Sequence, residues 1–173
     1  RETGLSHQIK MPKIQGPEKL KSDQELRKDL KTKIPKAYLP MWLREREIET
    51  RQVEPVDMLA AEKLPPYRST WMKPTGKLPA NERIHQALLL YVSDMGLLGT
   101  AVNPHEVNFM SKKFQSASLD HVMWFHGRVN FNNWLLHHMH SPISSNARGF
   151  SRGSIYTKSG KLIASTAQGG LMR

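Results

Sequence analysis

The stretch from residue 81 to residue 102, NERIHQALLLYVSDMGLLGTAV, decides the fold of this chain. Asn81 can cap the start of a helix, and Glu82 places a negative charge in the first turn, where it suits the helix dipole. Apolar side chains recur at helical spacing along one face: Ile84, Leu88, Tyr91 and Met95. The stretch therefore predicts one long helix, and its apolar run at 87–92 predicts burial around most of the circumference.

One carboxylate, Asp94, interrupts the apolar surface of this predicted helix. An ionised carboxylate that is buried without partners costs several kcal/mol, roughly. Asp94 could therefore reach water at an edge, accept a hydrogen bond from a backbone amide, or serve as a general base in catalysis. The residues around it leave these alternatives open.

Composition bounds what the chain can be. Its 173 residues allow one domain with extensions or two small domains, and 38% hydrophobic with 24% charged residues is ordinary for a globular protein. The absence of cysteine excludes disulfides and thiolate metal sites. The net charge of +11 favours an anionic partner. Because the first residue is Arg1, we expect a fragment or a processed form of a longer protein.

Residues 1–51 differ in character from the rest. They are dense in charge and carry four prolines, without a sustained apolar period. We interpret them as a basic linker with one short helix over residues 23–31. A group of apolar and aromatic residues at its end is expected to anchor the linker on a core: Tyr38, Leu39, Met41, Trp42 and Leu43. Residues 52–173 form the predicted domain.

Strands are predicted on both sides of the long helix, at residues 52–57, 68–73, 117–126, 134–140, 147–157 and 162–168. Ser159 and Gly160 are typical of a tight hairpin turn between the last two. Gly149 and Gly153 share one strand face, which indicates that something, most simply the long helix, packs closely there. The sum is an α+β fold in which antiparallel strands wrap one helix.

Two further residues could carry chemistry. Gln168 lies on one face of the last strand, and a buried amide there could hold a water or a carbonyl. Ser118 opens the apolar strand at 117–126 and could orient a water. No GxSxG motif surrounds Ser118, so a serine nucleophile elbow is not supported. The alternative for both residues is ordinary polarity at a strand edge.

The histidines and the basic residues of the sheet favour no particular ligand. His138 and His140 share a strand face while His137 points the other way, and no HExxH motif is present, so a metal site is not expected. Arg148 and Arg152 share another face, and Lys158 and Lys161 flank the hairpin. A polyphosphate or plain solvent would suit either set. The charge alone suggests nucleic acid, but no nucleic-acid motif is present and that partner is not expected.

Several stretches together resemble the second half of the acyl-CoA thioesterase II family. They are YVSD at 91–94, SLDHVMWFH at 118–126, ARGFSRG at 147–153 and ASTAQGGLMR at 164–173; HQIKMP at 7–12 resembles the start of that family's linker. The resemblance implies the C-terminal half of a double hot-dog fold, in which each half is a long helix wrapped by an antiparallel sheet.

The resemblance also implies an activity and a site. The family hydrolyses acyl-CoA to fatty acid and CoA with an aspartate, a hydroxyl residue and a glutamine that activate a water, and these match Asp94, Ser118 and Gln168. No cofactor is expected, because CoA is part of the substrate. The family commonly has glutamate where this chain has Gly169, which bears on how Gln168 is positioned.

The remaining expectations concern partners and location. The resemblance implies a missing first hot-dog half, so we expect the chain to pair with that half or with a second copy of itself. A hot-dog fragment that binds acyl-CoA or a partner chain without turnover is the alternative function. The resemblance is compatible with a peroxisomal or a cytoplasmic location and favours the peroxisome. It leaves the acyl chain length open.

Overall fold

A computed structural model of the chain describes residues 4–57, 59–107, 111 and 113–173, so the first three residues of the predicted linker lie outside it. The helices are α1 (Asp23–Asp29), α2 (Leu39–Trp42), α3 (Glu82–Ser93) and α4 (Leu97–Val102). The strands are β1 (Ile48–Gln52), β2 (Tyr67–Pro74), β3 (Ser116–Ser118), β4 (Val122–Phe125), β5 (Leu135–Ser145), β6 (Arg148–Thr157) and β7 (Leu162–Met172).

All seven strands form one antiparallel sheet in the order β1-β2-β5-β6-β7-β3, with β4 also paired to β7. The long hairpin strands β5, β6 and β7 make its centre, and α4 packs against all three. Leu89 and Val92 of α3 join the main core beside β2, β5 and β7. The α+β arrangement expected from the sequence is confirmed, with both helices of the 81–102 stretch beside the sheet.

The prediction of one continuous helix over residues 81–102 is wrong. Asn81 does cap α3, since its side chain accepts a hydrogen bond from the Arg83 amide. The helix ends at Ser93, and α4 starts only at Leu97, after a turn that contains Asp94 and Gly96. Gly96 lies against Met139, where an added Cβ would be 3.0 Å from the sulfur atom. The chain therefore bends where it meets β5, and Asp94 sits at the bend.

The prediction that the helix is buried around most of its circumference is also wrong. The buried residues of α3 are His85, Leu89, Val92 and Ser93. Of the four apolar side chains that recur at helical spacing in the sequence, three are exposed: Ile84, Tyr91 by 61% and Met95 by 51%. A helix that is apolar on two sides can bury either side, and here the side that carries His85 and Ser93 packs against the sheet. The other side remains an apolar surface facing out.

The sequence predicted six strands and the described residues form seven, at approximately the predicted places. The first strand lies at Ile48–Gln52 rather than at 52–57, so it begins inside the stretch interpreted as linker. The stretch at 117–126 divides into β3 and β4 because residues between them leave the ladder. Gly160 adopts a φ of 89° in the β6–β7 turn, as the hairpin motif requires.

The linker is packed on the sheet rather than loose. Met11, Ile14 and Leu20 cover Trp71 and Tyr156 on the sheet. The Trp71 indole donates to the Gln15 carbonyl at 2.9 Å. The anchor expected at residues 38–43 of the linker is only partly formed. Trp42 packs on Arg27 of α1, but Tyr38 and Met41 are exposed.

Candidate active site

Asp94 occupies the bend between α3 and α4. It is the C-terminal capping residue of α3, with helical backbone angles, and its side chain is half-buried. The helix that positions it is fixed on the sheet by Leu89 and Val92, and α4 is fixed by Ser151, whose hydroxyl donates to the Leu97 carbonyl at 2.8 Å. The backbone on both sides of Asp94 is therefore anchored.

Gln168 reaches Asp94 from the sheet. Thr166 and Gln168 alternate on the inner face of β7, and both are buried. The side-chain amide Nε2 of Gln168 donates a hydrogen bond to Oδ1 of Asp94. Within the described ranges of the chain, the hydrogen bond of this carboxylate is formed by Oδ1 and not by Oδ2. Oε1 of Gln168 is buried, and it has no hydrogen-bond partner in the part of the chain that the structure describes.

Ser118 completes the group that the sequence singled out. It is the last residue of β3, where it pairs with Gly170 of β7, and it is exposed. Asp94 and Ser118 line one shallow opening of about 390 Å³. Gln168 is connected to that opening through its hydrogen bond to Asp94. The other residues of its rim are Leu90, Tyr91, Met95, Leu119, Asp120 and His121. The structure thus connects Asp94 to Ser118 through the opening that both line, and to the buried Gln168 through a hydrogen bond.

Asp120 and His121 are two polar residues of this opening to which the sequence assigned no role. Oδ1 of Asp120 accepts from the Gly169 amide at 2.7 Å, and Nε2 of His121 lies 2.9 Å from the Ser93 hydroxyl. The Ser93 hydroxyl donates its only proton to the Leu90 carbonyl. The Ser93 oxygen therefore accepts the hydrogen bond from Nε2 of His121. Residues 119–121 lie between β3 and β4, so the alternation of a regular strand does not decide which way Asp120 and His121 point.

Gly169 bears directly on the position of Gln168. A Cβ built at residue 169 would lie 2.9 Å from Oδ2 of Asp120, so the carboxylate occupies the space of a side chain. The Gly169 amide is held by that carboxylate, and the Leu119 amide in turn donates to the Gly169 carbonyl at 3.0 Å. The residue after Gln168 therefore has both its backbone N–H and its backbone carbonyl held by hydrogen bonds.

The histidines do not gather into a metal centre. His137 points inward, where its Nε2 lies 3.0 Å from the Thr166 hydroxyl, and burial lowers the pKa of His137 to about 3. His138 points to the other face and contacts the Ser69 hydroxyl at 3.0 Å. Among the described residues no three acidic, histidine or cysteine side chains are grouped so that they could hold a metal ion.

A second depression, a groove of about 210 Å³, is lined by Tyr91 and Met95, which also border the opening at Asp94. Its other walls are partly apolar or uncharged and partly charged: Ile48, Thr50, Gln52, Thr70 and Val92, with Asp23, Arg27, Arg46, Glu47 and Arg68. Burial lowers the pKa of Arg68, and its Nε atom has no hydrogen-bond acceptor among the described residues. The sequence carried no signal for this arginine, since it sits in a strand of ordinary composition.

The other basic residues considered from the sequence lie elsewhere. Arg148 and Arg152 are exposed on β6, with Arg152 stacked on Phe150. Lys158 at the hairpin pairs with Glu18 of the linker. No described helix is long and apolar enough to cross a membrane.

Comparison with known proteins identifies relatives along the whole chain. Residues 42–171 match the family model described as acyl-CoA thioesterase. Over 99% of its length the chain is 34% identical to acyl-CoA thioesterase 2 of Haemophilus influenzae, of which it spans 60%. It is 31% identical over 98% of its length to acyl-coenzyme A thioesterase 8 of Homo sapiens, of which it spans 54%. The chain thus covers little more than half the length of these relatives.

Solved structures agree with the fold. The chain superposes on acyl-CoA thioesterase II TesB2 of Mycobacterium marinum with a TM-score of 0.73 and 30% identity, over 100% of this chain and 59% of that one. It also superposes, with a TM-score of 0.68 and 17% identity, on a hot-dog protein of unknown function from Alicyclobacillus acidocaldarius, covering 100% of this chain and 58% of that one. The expected hot-dog fold is confirmed.

Proposed function

Because this chain belongs to the acyl-CoA thioesterase family, we propose that it supplies the water-activating half of an enzyme that hydrolyses acyl-CoA to a fatty acid and free CoA. The observation that carries the proposal is the hydrogen bond from Gln168 to Asp94 beneath the opening that Ser118 lines. The carboxylate of Asp94 and the hydroxyl of Ser118 border the opening, where a thioester could reach them, and the buried amide of Gln168 holds the carboxylate from below.

In the proposed reaction Asp94 is the base. Gln168 holds Oδ1 of Asp94, so the carboxylate keeps one orientation and Oδ2 faces the bound water. As the water oxygen bonds to the thioester carbonyl carbon, Oδ2 takes one of its protons. A positioned base of this kind contributes on the order of a hundredfold to ten-thousandfold in rate.

Ser118 and Gln168 have positioning roles in this proposal. The Ser118 hydroxyl lines the opening and holds the water against the carbonyl, which reduces the entropy that the reaction must lose. The tetrahedral intermediate then expels the CoA sulfur as a thiolate, which takes up the proton from Asp94. Water is the only co-reactant, so the proposed reaction needs no cofactor.

A single turnover in ¹⁸O-water tests the role of water. With the protein in excess over octanoyl-CoA, direct attack by water puts ¹⁸O into the octanoate formed in the first turnover. A first octanoate without ¹⁸O would show that Asp94 attacked the thioester and that water then opened the mixed anhydride at the aspartyl carbon, and that result would overturn the proposed base. Release of CoA is followed in parallel through its free thiol.

The alternative is a fragment that binds acyl-CoA without turnover. What favours it is the exposed apolar surface beside the opening, where Leu90, Tyr91 and Leu119 face out while the chain spans 54% to 60% of its relatives. Binding of acyl-CoA by this chain with no CoA released, even in the presence of an added first half, would select this alternative.

We propose that a second hot-dog unit covers that surface. Among the described residues β4 pairs only with β7, and its outward-facing Trp124 is 52% exposed. An open strand edge beside an apolar helix face is a natural place for another sheet to join. The occupant is either the first half found in the longer relatives or a second copy of this chain, and its presence would close the opening at Asp94.

We also propose a peroxisomal location. One relative, 33% identical over 61% of this chain, is named peroxisomal acyl-coenzyme A thioester hydrolase 1 of Saccharomyces cerevisiae. Co-sedimentation of the protein with peroxisomal markers after cell fractionation is the expected result, and recovery in the cytosolic fraction would reject this location.

A further inference from the structure

The loop between β3 and β4 is fixed to the strand that carries Gln168. The Leu119 amide donates to the Gly169 carbonyl at 3.0 Å, and Oδ1 of Asp120 accepts from the Gly169 amide at 2.7 Å. Gly169 directly follows Gln168 in β7. The loop therefore sets the position of the backbone next to the Gln168 side chain.

The same loop is fixed to the helix end that carries Asp94. Nε2 of His121 donates to the Ser93 hydroxyl oxygen at 2.9 Å, and that hydroxyl donates to the Leu90 carbonyl at 2.9 Å. Ser93 is fully buried and directly precedes Asp94. A hydrogen bond that is shielded from water is electrostatically stronger than an exposed one. The last turn of α3 is therefore held against the loop.

Together with the hydrogen bond from Gln168 to Asp94, these contacts close a ring. The ring consists of three pairs of chain neighbours, one from the end of α3, one from β7 and one from the loop, and three hydrogen bonds join the pairs: Ser93 with Asp94, Gln168 with Gly169, and Asp120 with His121. Because the ring is closed, each pair is held by the other two, and no pair can shift without lengthening a hydrogen bond.

The two nitrogens of His121 indicate what its side chain does at the opening. Nε2 carries the proton that is donated to Ser93, so in a neutral imidazole Nδ1 is an acceptor. Nδ1 is buried, and it has no donor among the residues that the structure describes. One nitrogen is thus engaged and the other is shielded from solvent, although the residue borders the opening. This arrangement suits a side chain that orients its neighbours rather than one that exchanges protons with a substrate.

Resting on the proposed function, we infer that Asp120 and His121 are positioning residues of the hydrolysis, which through the ring hold the carboxylate of Asp94 in the orientation that activates water. Each acts through the residue that it bonds. A displacement of about 1 Å in a reacting group can cost about a hundredfold in rate. Opening the ring should therefore lower kcat while it leaves the binding of the substrate largely unchanged.

Substitution of His121 separates positioning from proton transfer. His121→Ala is expected to lower kcat for octanoyl-CoA by about ten- to hundredfold and to change KM by less than about twofold. His121→Gln should restore most of the rate, because its amide can donate from the place of Nε2 but is neither an acid nor a base near neutral pH. A His121→Gln variant as slow as His121→Ala would show that the imidazole itself is required, which overturns the inference.

His126→Ala is the matched control for His121→Ala. The two histidines flank β4, and Nε2 of His126 also lies close to a serine hydroxyl, that of Ser165 at 2.8 Å. His126 does not line the opening. The control should keep its full kcat. An equal loss of rate in both variants would mean that any loosening of β4 slows the reaction, and the specific role of His121 would be rejected.

Substitution of Asp120 tests the other side of the ring. Asp120→Ala should lower kcat about as much as His121→Ala does, and Asp120→Asn, which keeps an oxygen that can accept from the Gly169 amide, should retain most of the rate. The double variant with His121→Ala should be little slower than either single one, because each substitution opens the same ring. Strictly multiplicative losses would contradict the ring.

Hydrogen exchange keeps this inference apart from the hydrolase proposal. The side-chain amide protons of Gln168, assigned in the ¹⁵N NMR spectrum by their loss in Gln168→Ala, report the hydrogen bond to Asp94. Their exchange with water should be faster in His121→Ala and Asp120→Ala and unchanged in His121→Gln and His126→Ala. This result stands even if no thioester is cleaved, in which case the proposed hydrolysis fails alone. Exchange that neither alanine substitution in the loop alters would overturn the inference.

Discussion

At the scale of single residues, the site depends on one carboxylate held by one amide. Asp94 lies at a helix end and Gln168 lies in a strand, and their hydrogen bond joins the two elements at the opening. If the two side chains act as a unit, the effects of their substitutions on kcat should not multiply, because removing either side chain removes the same oriented base.

We expect Gln168→Ala to lower kcat for octanoyl-CoA by about ten- to hundredfold, since the carboxylate loses the donor that orients it. Asp94→Asn in the Gln168→Ala background should then cost much less than it does alone. Gln115→Ala is the control, because that amide bonds Arg173 rather than Asp94. Strictly multiplicative effects of the two substitutions would show that the hydrogen bond has no part in catalysis.

The buried His137 should make the fold sensitive to acid. Its folded-state pKa of about 3 lies below the ordinary value of 6.5, so below pH 6.5 the unfolded chain binds a proton that the folded protein refuses. Stability from this group is complete above pH 6.5 and falls as the pH drops, by about 2 kcal/mol at pH 5. The free energy of unfolding, measured in urea across this range, gives the slope.

His137→Gln removes that titration and can still hydrogen-bond the Thr166 hydroxyl. The variant should therefore lose stability less steeply between pH 6.5 and pH 4 than the natural protein. An unchanged slope would place the acid sensitivity in other groups.

At the scale of elements, the bend between α3 and α4 and the close approach of α4 to the sheet shape the site. Gly149 of β6 faces α4, where an added Cβ would lie 2.6 Å from the Ala101 Cβ. This confirms that a helix packs on Gly149. Gly153, by contrast, makes room for the His137 ring and not for the helix.

Gly149→Ala should destabilise the protein by about 1–3 kcal/mol, because α4 cannot move away without disturbing β5 and β7. Gly76→Ala is the matched control, since nothing lies within 4 Å of its would-be Cβ. The control should be neutral or slightly stabilising. Midpoints of urea unfolding compare the two, and equal effects would mean that the packing of α4 is loose.

Much of the fold could be predicted from the sequence, because strand alternation and the hairpin turn are local signals. Asp94, Ser118 and Gln168 were candidates because of their positions in apolar stretches, and the resemblance joined them in one site. The bend at Asp94 could not be predicted, because it depends on the fit of Gly96 against Met139. Nor could the choice of buried helix face, since α3 is apolar on two sides and only the sheet decides. The role of Asp120 depends on a break in the strand ladder that the sequence does not mark.

At the scale of the whole molecule, the outward face of α3 at Tyr91 and the edge of β4 at Trp124 both expose large apolar side chains. Trp124→Lys places a charge on that edge and should weaken association with a second copy or with an added first half. Ile143→Lys is the control, at a residue 57% exposed on β5. Sedimentation velocity measures both, and equal behaviour of the two variants would mean that association uses another surface.

The most direct measurement is the rate of thiol release from octanoyl-CoA by Asp94→Asn, compared with Asp29→Asn, an exposed aspartate of the linker. If Asp94 is the base that activates water, its substitution lowers kcat/KM by about a hundredfold or more while the melting temperature stays close to that of the natural protein. The control keeps full activity. Full activity in Asp94→Asn would contradict the account.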